Sequence, residues 1–121
     1  MTSEDELYKD RILAEYKHPK HYGLKEPFSH EANATNSLCG DSLTVRLFIE
    51  NRTIRDVSFE NTGCVLSTAS ASLFLDSIKG KSVEDARRFG EDTVLQLLGI
   101  SPTPGRMACV TLVLEAMHKM L

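Results

Sequence analysis

Leu43, Val45, Leu47 and Ile49 alternate with Ser42, Thr44, Arg46 and Glu50. This run constrains the fold more than any other stretch of the chain. Apolar residues at every second position mark a strand with one buried face. Asn51-Arg52 follows as a turn. Thr53 to Glu60 reads as the return strand, with Val57 and Phe59 sharing a face. Two strands alone are marginally stable, so a third strand or a helical cover is required. The polar, short-chained stretch from Phe28 to Leu38 is expected to add an irregular edge strand. A hairpin returns to the edge on which it began. This one starts at Asp41 and ends near Cys64, so Cys39, Asp41 and Cys64 are expected to lie close together.

The flanking segments read as helices. Tyr8, Ile12 and Tyr16 recur at helical spacing with Leu7 and Leu13 beside them, which predicts an amphipathic helix over 4–17 that stops before Pro19. His18 and His21 fall in the following Pro- and Gly-containing loop and read as solvated rather than as ligands. The small residues from Ser67 to Ser72 predict a closely packed helix over 67–79, with Ser67 as N-cap and Gly80 just past its end. Cys64 then stands just before that helix, at the positive end of its dipole. Ser82 with Asp85 opens a short helix through Phe89, and Asp92 opens another that Gly99 ends. Thr103 as N-cap and Pro104 as first residue open the last helix. Its stripe is Met107, Val110, Leu114, Met117 and Leu121, with Cys109 in the second turn and off that stripe.

A chain of 121 residues, 41% hydrophobic and 26% charged, fits one α+β domain over 1–121 with a real core. A net charge of −3 gives no basic footprint for nucleic acid. No apolar run approaches a membrane span, and no secretory or transit segment is visible. The expected location is therefore cytoplasmic, where thiols stay reduced. Three cysteines cannot all pair with one another, which argues against a pure disulfide framework. Cys39, Cys64 and Cys109 with the carboxylate of Asp41 form a tetrahedral donor set for Zn²⁺, and thiolates suit an iron–sulfur cluster equally. Three unrelated buried cysteines are the bland alternative. A Cys–His nucleophile has little support, since none of the histidines at 18, 21, 30 and 118 is tied to a cysteine by spacing. A zinc-stabilised binding module without catalysis also stays open.

In order along the chain, the motifs resemble those of the iron–sulfur cluster scaffold family of NifU N-terminal domains, IscU and SufU. They begin with Tyr16-Lys17-His18-Pro19-Lys20-His21-Tyr22-Gly23 and Cys39-Gly40-Asp41. Ile54-x-Asp56-x-x-Phe59, Gly63-Cys64 and the Ser67–Ser72 run come next. Lys79-Gly80-Lys81-Ser82-Val83-Glu84-Asp85-Ala86 and Pro104-x-Arg106-x-x-Cys109 complete the series.

The resemblance implies a SufE/NifU-like fold, a three-stranded antiparallel sheet packed against about five helices. It implies that Cys39, Asp41, Cys64 and Cys109 hold iron and a nascent, transient [2Fe–2S] cluster, or Zn²⁺ in the cluster-free form. Sulfur would arrive as a persulfide from a cysteine desulfurase, and the cluster would pass to apo iron–sulfur proteins or carriers. All three cysteines are candidate persulfide acceptors, and Cys109 is preferred because a helix start favours the thiolate and the third motif is the expected docking face. Such a protein is a scaffold more than an enzyme, and is expected to be a monomer or weak dimer. Asp41 would be the exchangeable oxygen ligand among soft thiolates. IscU-type members carry His immediately before the third cysteine, where this chain has Ala108. Thr103-Pro104-Gly105-Arg106 also stands where IscU carries its chaperone-binding Leu-Pro-Pro-Val-Lys. Both departures point to SufU, described as a zinc-dependent sulfurtransferase. The spacing of 45 positions between Cys64 and Cys109 is the short, IscU-like one. Arg106 has two readings of equal standing: it offsets the excess negative charge of the site, or it is a solvated residue at the helix start.

Overall fold

The structure, a computed structural model, describes residues 3–36 and 40–121, with side chains in the first helix from Lys9 onward. Cys39 lies outside the described residues, as does the side chain of Tyr8. The elements run α1 (Ser3–Lys17), β1 (His30–Asn36), β2 (Asp41–Glu50), β3 (Thr53–Thr62), α2 (Val65–Ile78), α3 (Val83–Arg87), α4 (Glu91–Leu98) and α5 (Pro104–Met120). The three strands form one antiparallel sheet in the order β1-β2-β3. The expected α+β architecture of three antiparallel strands and five helices is therefore present.

Alternation does what it promised along β2. Leu43, Val45 and Leu47 are buried in one row, facing Ala34 and Ala32 of β1 and Phe59 and Val57 of β3. Asp41 belongs to the same row and is therefore turned inward too. β1 differs from its expectation, because it is a regular strand paired with β2 at all seven residues, from His30↔Leu47 to Asn36↔Asp41. Its polar side chains are no obstacle: an edge strand takes its hydrogen bonds from one neighbour, and its outward face meets solvent. The register slips between Phe48 and Ile49. Asn51 and Arg52 then turn the chain with φ of 51° and 59°, as a tight hairpin demands.

α2 is the hub. It packs on α1, α4, α5 and β3, while α5 covers β1 and β2. Ser67, Thr68, Ala69, Ser70, Ala71 and Ser72 are all buried, and small side chains let the neighbouring elements approach. The helix starts at Val65, two residues earlier than expected, and Cys64 occupies the N-cap position assigned above to Ser67. Ser67 instead donates its hydroxyl back to the Cys64 carbonyl at 2.9 Å. Gly80 follows the helix at φ 89° as foreseen, and Ser82 accepts from the Asp85 N–H at the start of α3. α4 begins at Glu91 behind Gly90 rather than at Asp92. Pro104 opens α5, but the Thr103 side chain makes no capping bond.

The loop after α1 is fastened rather than free. His21 O accepts from Phe59 N–H at 3.0 Å, and Gly23 N–H donates to Phe59 O at 2.8 Å, so the loop adds to the outer edge of β3. His21 Nε2 lies 2.9 Å from Asp76 Oδ1 on α2, which corrects its reading as a solvated residue; His18 is exposed. In α1 the expected stripe is only partly buried. Ile12 is covered, whereas Leu13 and Tyr16 are exposed. No helix among the described residues is long and apolar enough to cross a membrane.

Candidate metal centre

Three elements converge on one point. β2 contributes Asp41 from its first residue, the β3–α2 junction contributes Cys64, and the second turn of α5 contributes Cys109. One ligand atom from each of these residues lies within 4.8 Å of the others. Donors bound to a common tetrahedral zinc stand about 3.5–3.8 Å apart, so small side-chain adjustments would close the set. Asp41 is 2% exposed and Cys109 1%, while Cys64 is half-buried.

Asp41 is held at both ends of its carboxylate. Oδ1 accepts the Cys64 backbone N–H at 3.0 Å, and Oδ2 lies 3.9 Å from Cys64 Sγ. The first contact ties the start of β2 to the start of α2 and satisfies an amide at a helix N-terminus. It also explains the glycine before the cysteine. A Cβ on Gly63 would fall 2.7 Å from Asp41 Cγ, so any side chain there displaces the carboxylate. Asn61 near the end of β3 fixes the same helix start, donating to Ser67 Oγ at 3.2 Å and accepting from Thr68 Oγ1 at 3.0 Å.

Cys109 was expected off the apolar stripe of its helix. It is buried because α5 carries a second covered row, Leu112, Val113 and Ala116, toward the sheet. Asn36 Nδ2 approaches its sulfur to 3.9 Å. Arg106 is exposed one turn before Cys109. It lines a groove of about 1160 Å³ together with Leu13, Tyr16, Cys64, Leu66 and Ile100. Ala108 is exposed and brings no donor. No histidine joins the cluster among the described residues.

The structure therefore brings together three of the four expected residues, Asp41, Cys64 and Cys109; the fourth, Cys39, lies outside the described residues, two positions before Asp41. Sequence reasoning missed Gly63 as a steric requirement, Asn61 as a helix lock and Asn36 as a neighbour of Cys109. The alternation Ala32-x-Ala34-x-Asn36 carried a signal for the last, since it puts an amide in a core row.

The chemistry of the donor set fits a thiophilic ion or cluster: two described thiols and one carboxylate at a convergent, largely buried point. A model of the NifU-like N terminal domain family matches residues 7–121. The zinc-dependent sulfurtransferase SufU of Bacillus subtilis is 31% identical over 134 residues, covering 95% of this chain and 89% of that protein. The iron–sulfur cluster assembly scaffold protein IscU 1 of Archaeoglobus fulgidus is 27% identical over 113 residues, covering 93% of this chain and 73% of that protein. Among solved structures, the N-terminal part of a nitrogen-fixing NifU-like protein from Brucella abortus superposes with a TM-score of 0.73 at 25% identity, covering 96% of this chain and 92% of that one.

Proposed function

Because the chain belongs to the NifU-like N-terminal domain family, we propose that it is a scaffold on which a [2Fe–2S] cluster is assembled and passed to apo-proteins or carriers. The observation that carries this reading is the meeting of Asp41, Cys64 and Cys109 within 4.8 Å. Cys39 is the fourth ligand in this proposal, and Zn²⁺ occupies the same residues when no cluster is present. The cluster is cargo here, so its release matters as much as its retention. Asp41 supplies a hard oxygen donor among soft thiolates, and cluster iron prefers sulfur. Its Oδ1 is engaged by the Cys64 amide, which leaves Oδ2 as the donor that can come and go.

Sulfur arrives on a cysteine desulfurase as a persulfide. The Cys64 thiolate attacks its outer sulfur, the donor S–S bond breaks, and the electron pair leaves with the desulfurase cysteine as a thiolate; the Cys109 thiolate then attacks the outer sulfur of the Cys64 persulfide and releases Cys64 as a thiolate. The sulfur is then a persulfide on Cys109, and its conversion to sulfide takes two electrons from an external donor. The burial of Cys109 imposes a route. Half-buried Cys64, on the groove wall, meets the incoming persulfide first, and passage from Cys64 to Cys109 is an intramolecular exchange over less than 5 Å. Arg106 on the same groove offsets the negative charge of thiolates and persulfide.

The second reading is a zinc-dependent sulfurtransferase. It is favoured by the coverage of the Bacillus subtilis relative and by Ala108, which removes the histidine that IscU-type sites place beside this cysteine. Anaerobic reconstitution with iron and sulfide separates the two. The scaffold reading expects a visible chromophore lost in Cys64→Ser. Zinc-dependent stimulation of a desulfurase without any chromophore would establish the second reading instead.

A further inference from the structure

Asn36 occupies a position that the strand pattern reserves for an apolar side chain. It closes the row Ala32, Ala34, Asn36 on the core face of β1, and it is only 9% exposed. A buried amide must keep its hydrogen-bond partners, a demand that an aliphatic residue would not make. The register places Asn36 directly opposite Asp41, so one rung of the sheet presents an amide and the inward carboxylate side by side. Nδ2 of Asn36 lies 3.9 Å from Cys109 Sγ across 73 positions of sequence. That is a long approach, and a neutral thiol is a weak acceptor. A sulfur that carries charge or binds a metal accepts more strongly, and both residues are largely buried.

From this juxtaposition we infer that Asn36 is a positioning residue for Cys109: its side-chain N–H donates to the metal- or sulfur-bearing Sγ and keeps that sulfur aimed at Asp41 and Cys64. The inference rests on the metal-site reading above. Donors of this kind orient a ligand and withdraw electron density from it, and their loss typically lowers metal affinity 10–100-fold.

The test compares the wild-type protein with Asn36→Leu, which keeps the size and removes the donor, and with Thr35→Ala, an exposed neighbour on the same strand. Zn²⁺ affinity is measured by competition with a chromophoric chelator, and the thiolate-to-metal absorption band is recorded on the Co²⁺-substituted proteins. Thermal unfolding of the metal-free proteins is followed in parallel. The expected result is about a tenfold or greater loss of Zn²⁺ affinity in Asn36→Leu. A red shift of its Co²⁺ band is also expected, because the sulfur becomes more electron-donating, with Thr35→Ala indistinguishable from wild type. Should Asn36→Leu fail to fold, Asn36→Ala takes its place with the same two readouts. A variant that binds Zn²⁺ within twofold of wild type and keeps the band position, whatever its melting temperature, overturns the positioning role alone. A wild-type protein that binds neither ion overturns the metal-site reading and this inference with it.

Discussion

At the closed end of the β2–β3 hairpin the demands are those of backbone geometry. Asn51 and Arg52 take the left-handed backbone that a tight turn needs, and the segment after α2 docks on it through Ile54 N–H to Lys81 O, Gly80 N–H to Ile54 O and Val83 N–H to Arg52 O. Arg52 pairs with Glu84 in solvent. At the open end the same strands carry a buried carboxylate, a glycine that makes room for it and a cysteine at a helix start. The alternation that buries Leu43, Val45 and Leu47 also buries Asp41. One periodic pattern thus builds a core in its middle and a reactive corner at its edge. The corner is compatible with the fold only because the Cys64 amide, and in the proposed function a metal, satisfies the acid.

Breaking that corner should have the largest effect. Gly63→Val puts branched carbon against Asp41, and we expect Zn²⁺ affinity to fall on the order of 100-fold, read by chelator competition. Asp41→Ala should come next. It removes the proposed oxygen donor and the acceptor for Cys64 N–H, lowering Zn²⁺ affinity by about tenfold or more and slowing cluster release to an apo-acceptor. Asp41→Asn, which retains an acceptor for the Cys64 amide, should keep more of the thermal stability than Asp41→Ala while losing the same charge. An unchanged affinity in both would remove Asp41 from the site.

Changes at the closed end should leave metal binding alone. Asn51→Gly relieves a positive φ at the turn, and about 0.5 kcal/mol of stabilisation or less is expected by chemical denaturation, with Zn²⁺ affinity unaltered. The smallest effect concerns Asp56, opposite Phe48 on the hairpin. Partial burial pushes its carboxyl up, but the Val57 N–H, Lys25 and Lys79 outweigh this and hold it below its ordinary value of 3.8. A lowered value in the folded state means that its contribution is present above the ordinary value and fades as pH falls through the folded one. The group is 38% exposed, so solvent screens it to about 0.5 kcal/mol or less. The difference in melting temperature between wild type and Asp56→Asn should therefore be small at pH 7 and vanish in strong acid.

What the sequence disclosed follows the same division. The middle of the hairpin, the small-residue helix and the turn at Asn51-Arg52 were legible because burial and backbone sterics act through neighbours in the chain. The start of α2 was placed late, because Ser67 has the chemistry of an N-cap while the true start is set by Asp41 reaching across from another strand. β1 was expected to be irregular because its composition is polar, yet its regularity comes from pairing with β2, which composition does not register. Asn36 was passed over as one more polar residue of that stretch, and His21 as a loop residue. Cys64, Asp41 and Cys109 were legible as chemistry, but the contact between Asp41 and the Cys64 amide needed three dimensions.

The central claim is that three thiolates and one carboxylate share a metal at the open end of the hairpin. X-ray absorption spectroscopy on the zinc-loaded protein reads that first shell directly. The expected shell has three sulfurs at about 2.3 Å and one oxygen at about 2.0 Å, with the oxygen replaced in Asp41→Ala. A shell with fewer than three sulfurs, or one whose light-atom ligand is unaltered in Asp41→Ala, would contradict it.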